Sequence, residues 1–303
     1  MLTASPQVRS ALLFTGELLR LLDLFDRHSI RAIPFKGPVL ADMLYGDITA
    51  RDYCDLDILV GKQDIGKAIA ALLDAGYTTD LPSDPGQRRA YLQARYEIHF
   101  TSPSGAIPIE IHQAFLPPAY SFWLDPRFER RPFFGREIPA LAPADLLLVL
   151  CAHGAKHAWS EPRLVADVAR LLKISADDFC WPDLLRDAAA IGAYRILLLG
   201  LYLAAQQDAP VPAEILRQAQ RDKAVVRLAG RIRIGAPESH CFFLLARERW
   251  RDKLACCARL ALTPNEEDYL FLPLPALLSP LYYPLHAVRV AGKYGFTSLR
   301  SSQ

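Results

Sequence analysis

The stretch Arg31–Val60, RAIPFKGPVLADMLYGDITARDYCDLDILV, contains two short apolar runs that alternate with charged residues. The first run, at 31–35, predicts a strand that leads into Lys36-Gly37-Pro38. Gly37 permits a tight turn, and Pro38 suits the first position of a helix. We therefore expect a strand, a turn and a helix that ends near Gly46.

The second apolar run, Cys54–Val60, predicts a strand with a polar start. Side chains two positions apart in a strand point to one face, so Asp55 and Asp57 converge while Leu56 and Ile58 face the core. Neighbouring carboxylates repel each other unless a proton or a cation intervenes. A divalent cation is expected at this strand end, and oxygen ligands favour Mg²⁺. Surface strands also carry such pairs by chance.

A third carboxylate, Glu110, lies in a later alternating segment, Ile107–Gln113. Together with Arg95–Thr101 and the intervening Pro-Ser-Gly turn, this segment predicts a β-hairpin. On such a hairpin Glu110 either binds a metal ion or pairs across the strands with Glu97 or His99.

The arrangement of these segments predicts an α+β fold with a mixed sheet, followed by an all-α region. We expect an α+β domain at 1–115, which begins with a helix at 1–30, then a connector at 116–142 and a helical domain at 143–303. In the first helix, one apolar stripe is predicted to contain Leu12, Leu19, Leu22 and Phe25. The later helices are expected over 143–157, 162–173, 182–190, 193–207, 212–233, 238–262 and 276–292.

Composition limits the classes of function. The 303 residues are 51% hydrophobic and have a formal charge of +2, which indicates a globular protein and argues against an extended nucleic-acid partner. The N-terminus predicts an amphipathic helix without a secretory signal, and six scattered cysteines indicate reduced thiols, so a cytoplasmic location is expected. The uncharged stretch 269–288 approaches the length of a membrane span, but its four prolines argue against one.

The order of strand, glycine turn, helix, DxD strand and later carboxylate resembles the nucleotidyltransferase superfamily related to DNA polymerase β. More specifically, the chain is similar to its uncharacterised-nucleotidyltransferase branch. The segments that carry this resemblance are Phe35-Lys36-Gly37-Pro38, Leu44-Tyr45-Gly46-Asp47, Arg51, Cys54–Val60, Ile109-Glu110-Ile111-His112, His153 to Asp167, Asp268, Leu274-Pro275 and Lys293-Tyr294-Gly295. Lys36-Gly37 stands where the superfamily has Gly-Ser, so a lysine would supply charge in place of a hydroxyl contact to phosphate.

The resemblance implies a Mg²⁺-dependent transfer of NMP, with AMP as the leading expectation, from an NTP to a small-molecule, peptide or protein acceptor. Asp55, Asp57 and Glu110 would be catalytic and would hold two Mg²⁺ ions, for which Mn²⁺ can substitute. The residues expected to bind nucleotide or phosphate are Lys36, Gly37, Arg51, His153, Lys156, His157 and Arg163. His112, on the face of Glu110, would activate the acceptor or form a hydrogen bond.

Several residues keep a second interpretation. Lys36 could be a solvated lysine, and Arg51 could pair with Asp47 or Asp52. His153 and His157 have the spacing of a helical metal pair, but Gly154 replaces the glutamate of HExxH, so zinc is not expected there and structural hydrogen bonds are the alternative. Asp167 is expected to be a buried partner of a basic residue such as Arg163, at i−4.

Two other classes of function remain open at this point. One is a catalytically silent nucleotide-binding or antitoxin-like module, against which the complete set of three carboxylates argues. The other is a helical scaffold protein in which 269–288 lies at a membrane interface. The acceptor, the base of the nucleotide and the oligomeric state are left open.

Overall fold

The computed structural model describes residues 5–117, 120, 126–235, 240–264, 266–272 and 274–300. Its strands, in chain order, are β1 (Ala32–Pro34), β2 (Leu56–Val60), β3 (Thr78–Thr79), β4 (Glu97–Thr101), β5 (Pro108–His112), β6 (Phe128–Phe133) and β7 (Arg136–Leu141). The α-helices are α1 (Pro6–Arg27), α2 (Gly37–Tyr45), α3 (Ile65–Asp74), α4 (Pro85–Ala94), α5 (Pro143–Lys156), α6 (Pro162–Ile174), α7 (Trp181–Ala190), α8 (Tyr194–Ala205), α9 (Ala213–Arg221), α10 (Lys223–Ala229), α11 (His240–Ala246), α12 (Trp250–Leu262), α13 (Glu266–Phe271) and α14 (Tyr282–Arg300). Two 3₁₀ segments cover Ala176–Asp178 and Ala276–Leu281.

Five strands form one mixed sheet in the order β1-β2-β5-β4-β3. Only the β2–β5 pairing in it is parallel, whereas β1–β2, β4–β5 and β3–β4 are antiparallel. The α+β fold with a mixed sheet and a helical part is thus confirmed, as is the β4–β5 hairpin. The domain limits at 115 and 143 stay predictions.

Strand β2 alternates as its sequence predicts. Leu56 and Ile58 are 1% and 0% exposed and belong to the core of the sheet domain. On α1, Leu22 and Phe25 are buried in the same core, but Leu12 is 53% exposed, so its place in the buried stripe was wrongly predicted. Leu12 precedes Leu22 by ten residues, which rotates it about 80° from Leu22 around the helix axis. The buried face uses Ala11 instead.

The structure contains elements that the sequence pattern did not indicate. Helix α4 is one of them, and its start is capped by Asp84, which accepts a hydrogen bond from the Gln87 N–H at 2.8 Å. The segment expected as a plain connector contains the β6–β7 hairpin. The sequence pattern did not predict this hairpin, because β6, FERRPF, lacks an alternation of apolar and polar residues. Both segments depend on tertiary contacts, and α4 depends also on its N-cap.

Three long helices of the prediction are interrupted. The segment 212–233 divides into α9 and α10 because Asp222 caps the second helix, accepting hydrogen bonds from the N–H groups of Ala224 and Val225. The segment 238–262 divides into α11 and α12, and 276–292 begins as a 3₁₀ turn that contains Pro280 before α14 starts. No helix in the described part of the chain is long and apolar enough to cross a membrane.

Two hydrophobic cores hold the molecule together. One lies around the sheet and α1, and the other lies among the helices after residue 140. The second core also includes Phe35, Leu40 and Leu44 from the segment that follows β1. The helical part therefore packs directly on the segment next to the DxD strand, and this packing positions the site described below.

The turn between α5 and α6 has an unusual backbone. Ala158 and Trp159 have φ values of 50° and 54°, in the left-handed region that β-carbon sterics disfavour. The Trp159 indole is fully buried against Gly154 on α5 and Gly200 on α8. A β-carbon at Gly154 would lie 2.6 Å from the indole ring, so the glycine is required by close packing.

We expect Gly154→Ala to lower the free energy of unfolding by about 1–3 kcal/mol, since the added methyl group forces the indole out of its packed position. Urea denaturation of both proteins measures this loss. Gly66→Ala in α3 is the matched control, because nothing lies within 4 Å of the added carbon there. A Gly154 variant as stable as the control would contradict the packing argument.

Candidate active site

The site is centred on Asp57, whose carboxylate is 3% exposed inside the first half of β2. Lys36 Nζ donates a hydrogen bond to Asp57 Oδ1 at 2.8 Å, and His112 Nε2 lies 3.0 Å from the same oxygen. The antiparallel pairing of β1 with β2 brings Lys36 to this position, since the Phe35 N–H donates to the Asp57 carbonyl at 3.3 Å. A buried carboxylate with two cationic or donor neighbours is the central feature of the site.

Glu110 lies directly opposite Asp57 in the parallel β2–β5 ladder. Opposite residues in a ladder share a face of the sheet, and His112, two residues later, shares it too. His112 Nε2 is accordingly 3.3 Å from Glu110 Oε2. Both partners of this nitrogen are carboxylates, so Nε2 carries the proton and donates.

Asp55 immediately precedes β2 and is half-buried. Its pKa is raised, first by burial and then by the charges of Asp57 and Glu110. These charge interactions indicate that Asp55 lies near the other two carboxylates, but the set of ligand atoms within 4.8 Å of one another consists of Asp57, Glu110 and His112 and does not include Asp55. The catalytic and metal-binding roles of the three carboxylates stay proposals.

Lys36 and His112 offset the charges of Asp57 and Glu110. Burial acts to raise the pKa of Asp57, but the Lys36 charge and the His112 hydrogen bond outweigh it, so that pKa is lowered. For Glu110 too, burial is the largest influence and acts to raise the pKa, but the hydrogen bond from His112 and the charges of His112 and Lys36 together lower it. Burial acts to lower the pKa of His112, but the hydrogen bonds to Asp57 and Glu110 outweigh it, so this pKa is raised. Asp57 and Glu110 are therefore ionised at neutral pH.

The donor set fits a divalent cation. Ligand atoms of Asp57, Glu110 and His112 all lie within 4.8 Å of one another. Two ionised carboxylates in a largely buried site need compensating positive charge, which Lys36 and His112 supply in this structure. Carboxylate oxygens are the ligands that Mg²⁺ prefers.

The turn after β1 approaches the DxD segment closely. Gly37 has a φ of +59°, and a β-carbon there would lie 3.3 Å from the Asp55 carbonyl oxygen. Only glycine adopts this conformation without strain. Helix α2 starts at this turn, so its first N–H groups lie next to Asp55 and Asp57, where they can bind an anion.

Helix α5 adds basic groups from the helical part. Burial and then the charge of Lys36 hold the pKa of His153 well below its usual range, so His153 is neutral beside the site. His153 and His157 stack edge to face with ring centroids 4.4 Å apart. Lys156 Nζ donates to the Tyr96 hydroxyl at 2.7 Å, and the Tyr96 ring lies 5.8 Å from that of His112. The structure thus brings His153 and Lys156 to the rim of the site.

Arg51 lies away from the carboxylates. Its Nε donates to both carboxylate oxygens of Asp167 on α6, at 3.1 and 3.0 Å, and the two side chains are 7% and 2% exposed. The Tyr45 hydroxyl also donates to Asp167, at 3.4 Å. Arg51 therefore pairs with Asp167, and its alternative pairing with Asp47 or Asp52 is wrong. Asp167 is the buried partner of a basic residue, as predicted, but its hydrogen bonds go to Arg51, whereas Arg163 contributes only a charge interaction.

One face of α6 holds the loop that leads into the DxD strand. Arg163 donates to the Asp52 carbonyl at 3.1 Å and pairs with Glu161, and Arg170 donates to the Leu44 carbonyl at 2.7 Å. Arg163, Asp167 and Arg170 recur at helical spacing, so this face binds both ends of the loop. Reasoning from the sequence missed this contact, although the i, i+4, i+7 pattern was visible.

Because the pKa of His112 is raised in the folded state, its ionised form stabilises the metal-free fold fully below pH 6.5, its ordinary pKa. This contribution is lost as the pH rises through the raised pKa. We expect the free energy of unfolding, measured in EDTA between about pH 6 and 9, to fall with pH. In His112→Asn the slope should be smaller, and equal slopes in both proteins would contradict the assignment.

A DxD strand paired in parallel with a strand that carries a further carboxylate, on a mixed sheet with a helical part, is the arrangement expected of a nucleotidyltransferase, a class of transferase enzyme. Residues 5–207 match the model of the family described as uncharacterised nucleotidyltransferase, and the chain belongs to this family. The match includes every candidate site residue.

Three solved structures show similarity to the chain. A lincosamide antibiotic adenylyltransferase, LnuA, with lincomycin bound, is 19% identical over 52% of this chain and 94% of its own, with a TM-score of 0.37. ANT(2″)-Ia in complex with adenylyl-2″-tobramycin is 11% identical over 64% and 98%, with a TM-score of 0.37. A solution structure of the antibiotic-resistance factor ANT(2″)-Ia is 14% identical over 71% and 93%, with a TM-score of 0.36. No curated protein matches the chain.

Proposed function

We propose that this protein is a Mg²⁺-dependent nucleotidyltransferase that moves NMP, with AMP as the leading candidate, from an NTP to a hydroxyl or phosphate group of a non-polymeric acceptor. The observation that carries the proposal is the placement of Asp57 opposite Glu110 in the parallel ladder, with Asp55 electrostatically coupled to both. A nucleoside triphosphate brings several negative charges, which this acidic cluster would repel in the absence of a cation.

Asp55, Asp57 and Glu110 would hold the two metal ions, for which Mn²⁺ can substitute. When bound, the ions neutralise the triphosphate and lower the pKa of the acceptor hydroxyl. Glu110 lies at the edge of the set that faces β4, which makes it the carboxylate closest to an acceptor entering from that side. His112 holds Asp57 and Glu110 at a fixed separation by donating between them.

Phosphate would be bound by the N–H groups at the start of α2, at Lys36 and Gly37, and by the Lys36 ammonium group. His153 and Lys156 lie at the rim of the same site and would contact the nucleotide, together with His157, which stacks on His153, and Arg163 at the start of α6. Arg51, in contrast, is engaged with Asp167. We therefore assign Arg51 no role in phosphate binding and propose that it holds the loop before β2 in position.

The proposal is tested by incubating the purified full-length chain with α-labelled ATP, GTP, CTP or UTP, Mg²⁺ and a fractionated metabolite extract. We expect transfer of label to an acceptor with stoichiometric release of pyrophosphate, and loss of both in EDTA. A thermal shift with Mg²⁺ and each NTP shows which nucleotide binds. Nucleotide binding with no label transfer under any condition would refute the proposed transferase activity and support a catalytically silent nucleotide-binding module.

We expect Lys36→Ala to raise the apparent KM for NTP about ten- to hundredfold, since a charged hydrogen bond is worth about 1.5–3 kcal/mol. Lys36 lies outside the carboxylate set, so kcat should change less than KM. Steady-state kinetics of pyrophosphate release measures both constants. Lys62→Ala, an exposed lysine just after β2, is the control. An unchanged KM would exclude a phosphate-binding role for Lys36.

A further inference from the structure

The face of the sheet that carries Asp57 continues beyond the proposed catalytic set onto β4. In the β4–β5 ladder, Glu97 lies opposite His112 and His99 lies opposite Glu110. These four side chains form a square in which each carboxylate has an imidazole across the ladder. Glu97 and His99 are not part of the proposed catalytic set, so the square provides donors that the reaction does not use.

Three of these four residues are close enough to share one ion. His99 Nδ1 lies 3.5 Å from Glu110 Oε1, and His99 Nε2 lies 3.9 Å from Glu97 Oε1. One ligand atom from each of Glu97, His99 and Glu110 can be chosen so that all three lie within 4.8 Å of one another. Glu110 directs Oε2 to His112 and Oε1 to His99, so its two oxygens serve separate neighbours.

A second observation points to a ligand in the same place. His112 is 2% exposed, and its Nδ1 atom is buried without a hydrogen-bond partner. This nitrogen lies 3.9 Å from Glu97 Oε2, too far for a hydrogen bond. A buried polar atom without a partner that faces a carboxylate of this cluster points to a ligand bound there.

We propose that Glu97, His99 and Glu110 form a binding site for a divalent transition-metal ion, with the unpartnered Nδ1 atom of His112 at its border, separate from the Mg²⁺ site of the proposed reaction. Mixed imidazole and carboxylate donors suit Zn²⁺ and similar ions, whereas Mg²⁺ favours oxygen ligands. The His99 side chain is 43% exposed, so the ion can enter from solvent. The site shares Glu110 with the catalytic set but requires no transfer activity.

The test is calorimetric titration of Zn²⁺ into the metal-stripped full-length chain, free of any histidine tag and in excess Mg²⁺. We expect one equivalent of Zn²⁺ to bind. Glu97→Gln and His99→Gln should each weaken binding at least tenfold, because each removes a ligand. His28→Gln, at an exposed histidine after α1, is the matched control and should bind as the wild type does. Circular dichroism verifies that each variant is folded.

Unchanged Zn²⁺ affinity in both Glu97→Gln and His99→Gln, or no binding to the wild type, would overturn the proposal. The Asp57→Asn variant separates this inference from the proposed function, since it should lose transfer and keep Zn²⁺ binding. Loss of Zn²⁺ binding in that variant, with His99→Gln unaffected, would place the ion at Asp57 and also overturn the proposal. A Zn²⁺-dependent rise in the Tm of the wild type, absent in His99→Gln, supports it independently.

Discussion

Asp57→Ala is expected to abolish pyrophosphate release, with kcat reduced at least about 10³-fold, which corresponds to about 4 kcal/mol of transition-state stabilisation. The proposed reaction asks for little covalent chemistry from the protein, so its rate depends on charge and position. Asp57 is the carboxylate that contacts both Lys36 and His112, and its removal leaves both without their shared acceptor. The measurement is label transfer from α-labelled NTP together with pyrophosphate release.

Asp57→Asn keeps the shape of the side chain and removes only its charge, so it separates loss of catalysis from loss of folding. Its far-ultraviolet circular dichroism should match that of the wild type while transfer is lost. The control is Asp52→Ala, at an exposed aspartate in the loop before β2, and this variant should retain full turnover. Undiminished turnover in Asp57→Ala would show that the DxD strand takes no part in the reaction.

The second large effect is expected on stability, at the contact between α6 and the loop before β2. Asp167→Ala should lower the free energy of unfolding by about 3–5 kcal/mol, since it leaves the buried Arg51 guanidinium without its partner. Burial raises the pKa of Asp167 in spite of the charge of Arg51, so the cost of removing this carboxylate from water is large. Urea denaturation measures the loss.

The double variant Arg51→Met/Asp167→Leu completes a thermodynamic cycle. We expect it to be more stable than Asp167→Ala, because neither charge is then buried without a partner. The KM for NTP of Arg51→Met decides between the two roles of this arginine. A raised KM with unchanged stability would show that Arg51 binds phosphate, and lower stability with an unchanged KM would show that it holds the loop.

Much of the site could be predicted from local pattern. Alternation in Cys54–Val60 and Ile107–Gln113 indicated that Asp55, Asp57 and Glu110 lie away from the core, because strand side chains alternate whatever the partner strand is. The requirement for Gly37 was also local, since a positive φ is a property of a single residue. Limits of the long helices were less accurate, since the cap at Asp222 interrupts an apolar pattern that continues through it.

The chain's own pattern was sufficient to determine the fold class, the family resemblance and the candidate acidic residues, because each depends on strand alternation, turn chemistry or a short motif. Only the tertiary structure decided which residues pair. It joined Arg51 to Asp167, 116 positions away, and placed Glu97 and His99 next to Glu110. The physical reason is that strand register and helix docking are set by packing and burial over the whole molecule, and local spacing does not encode them.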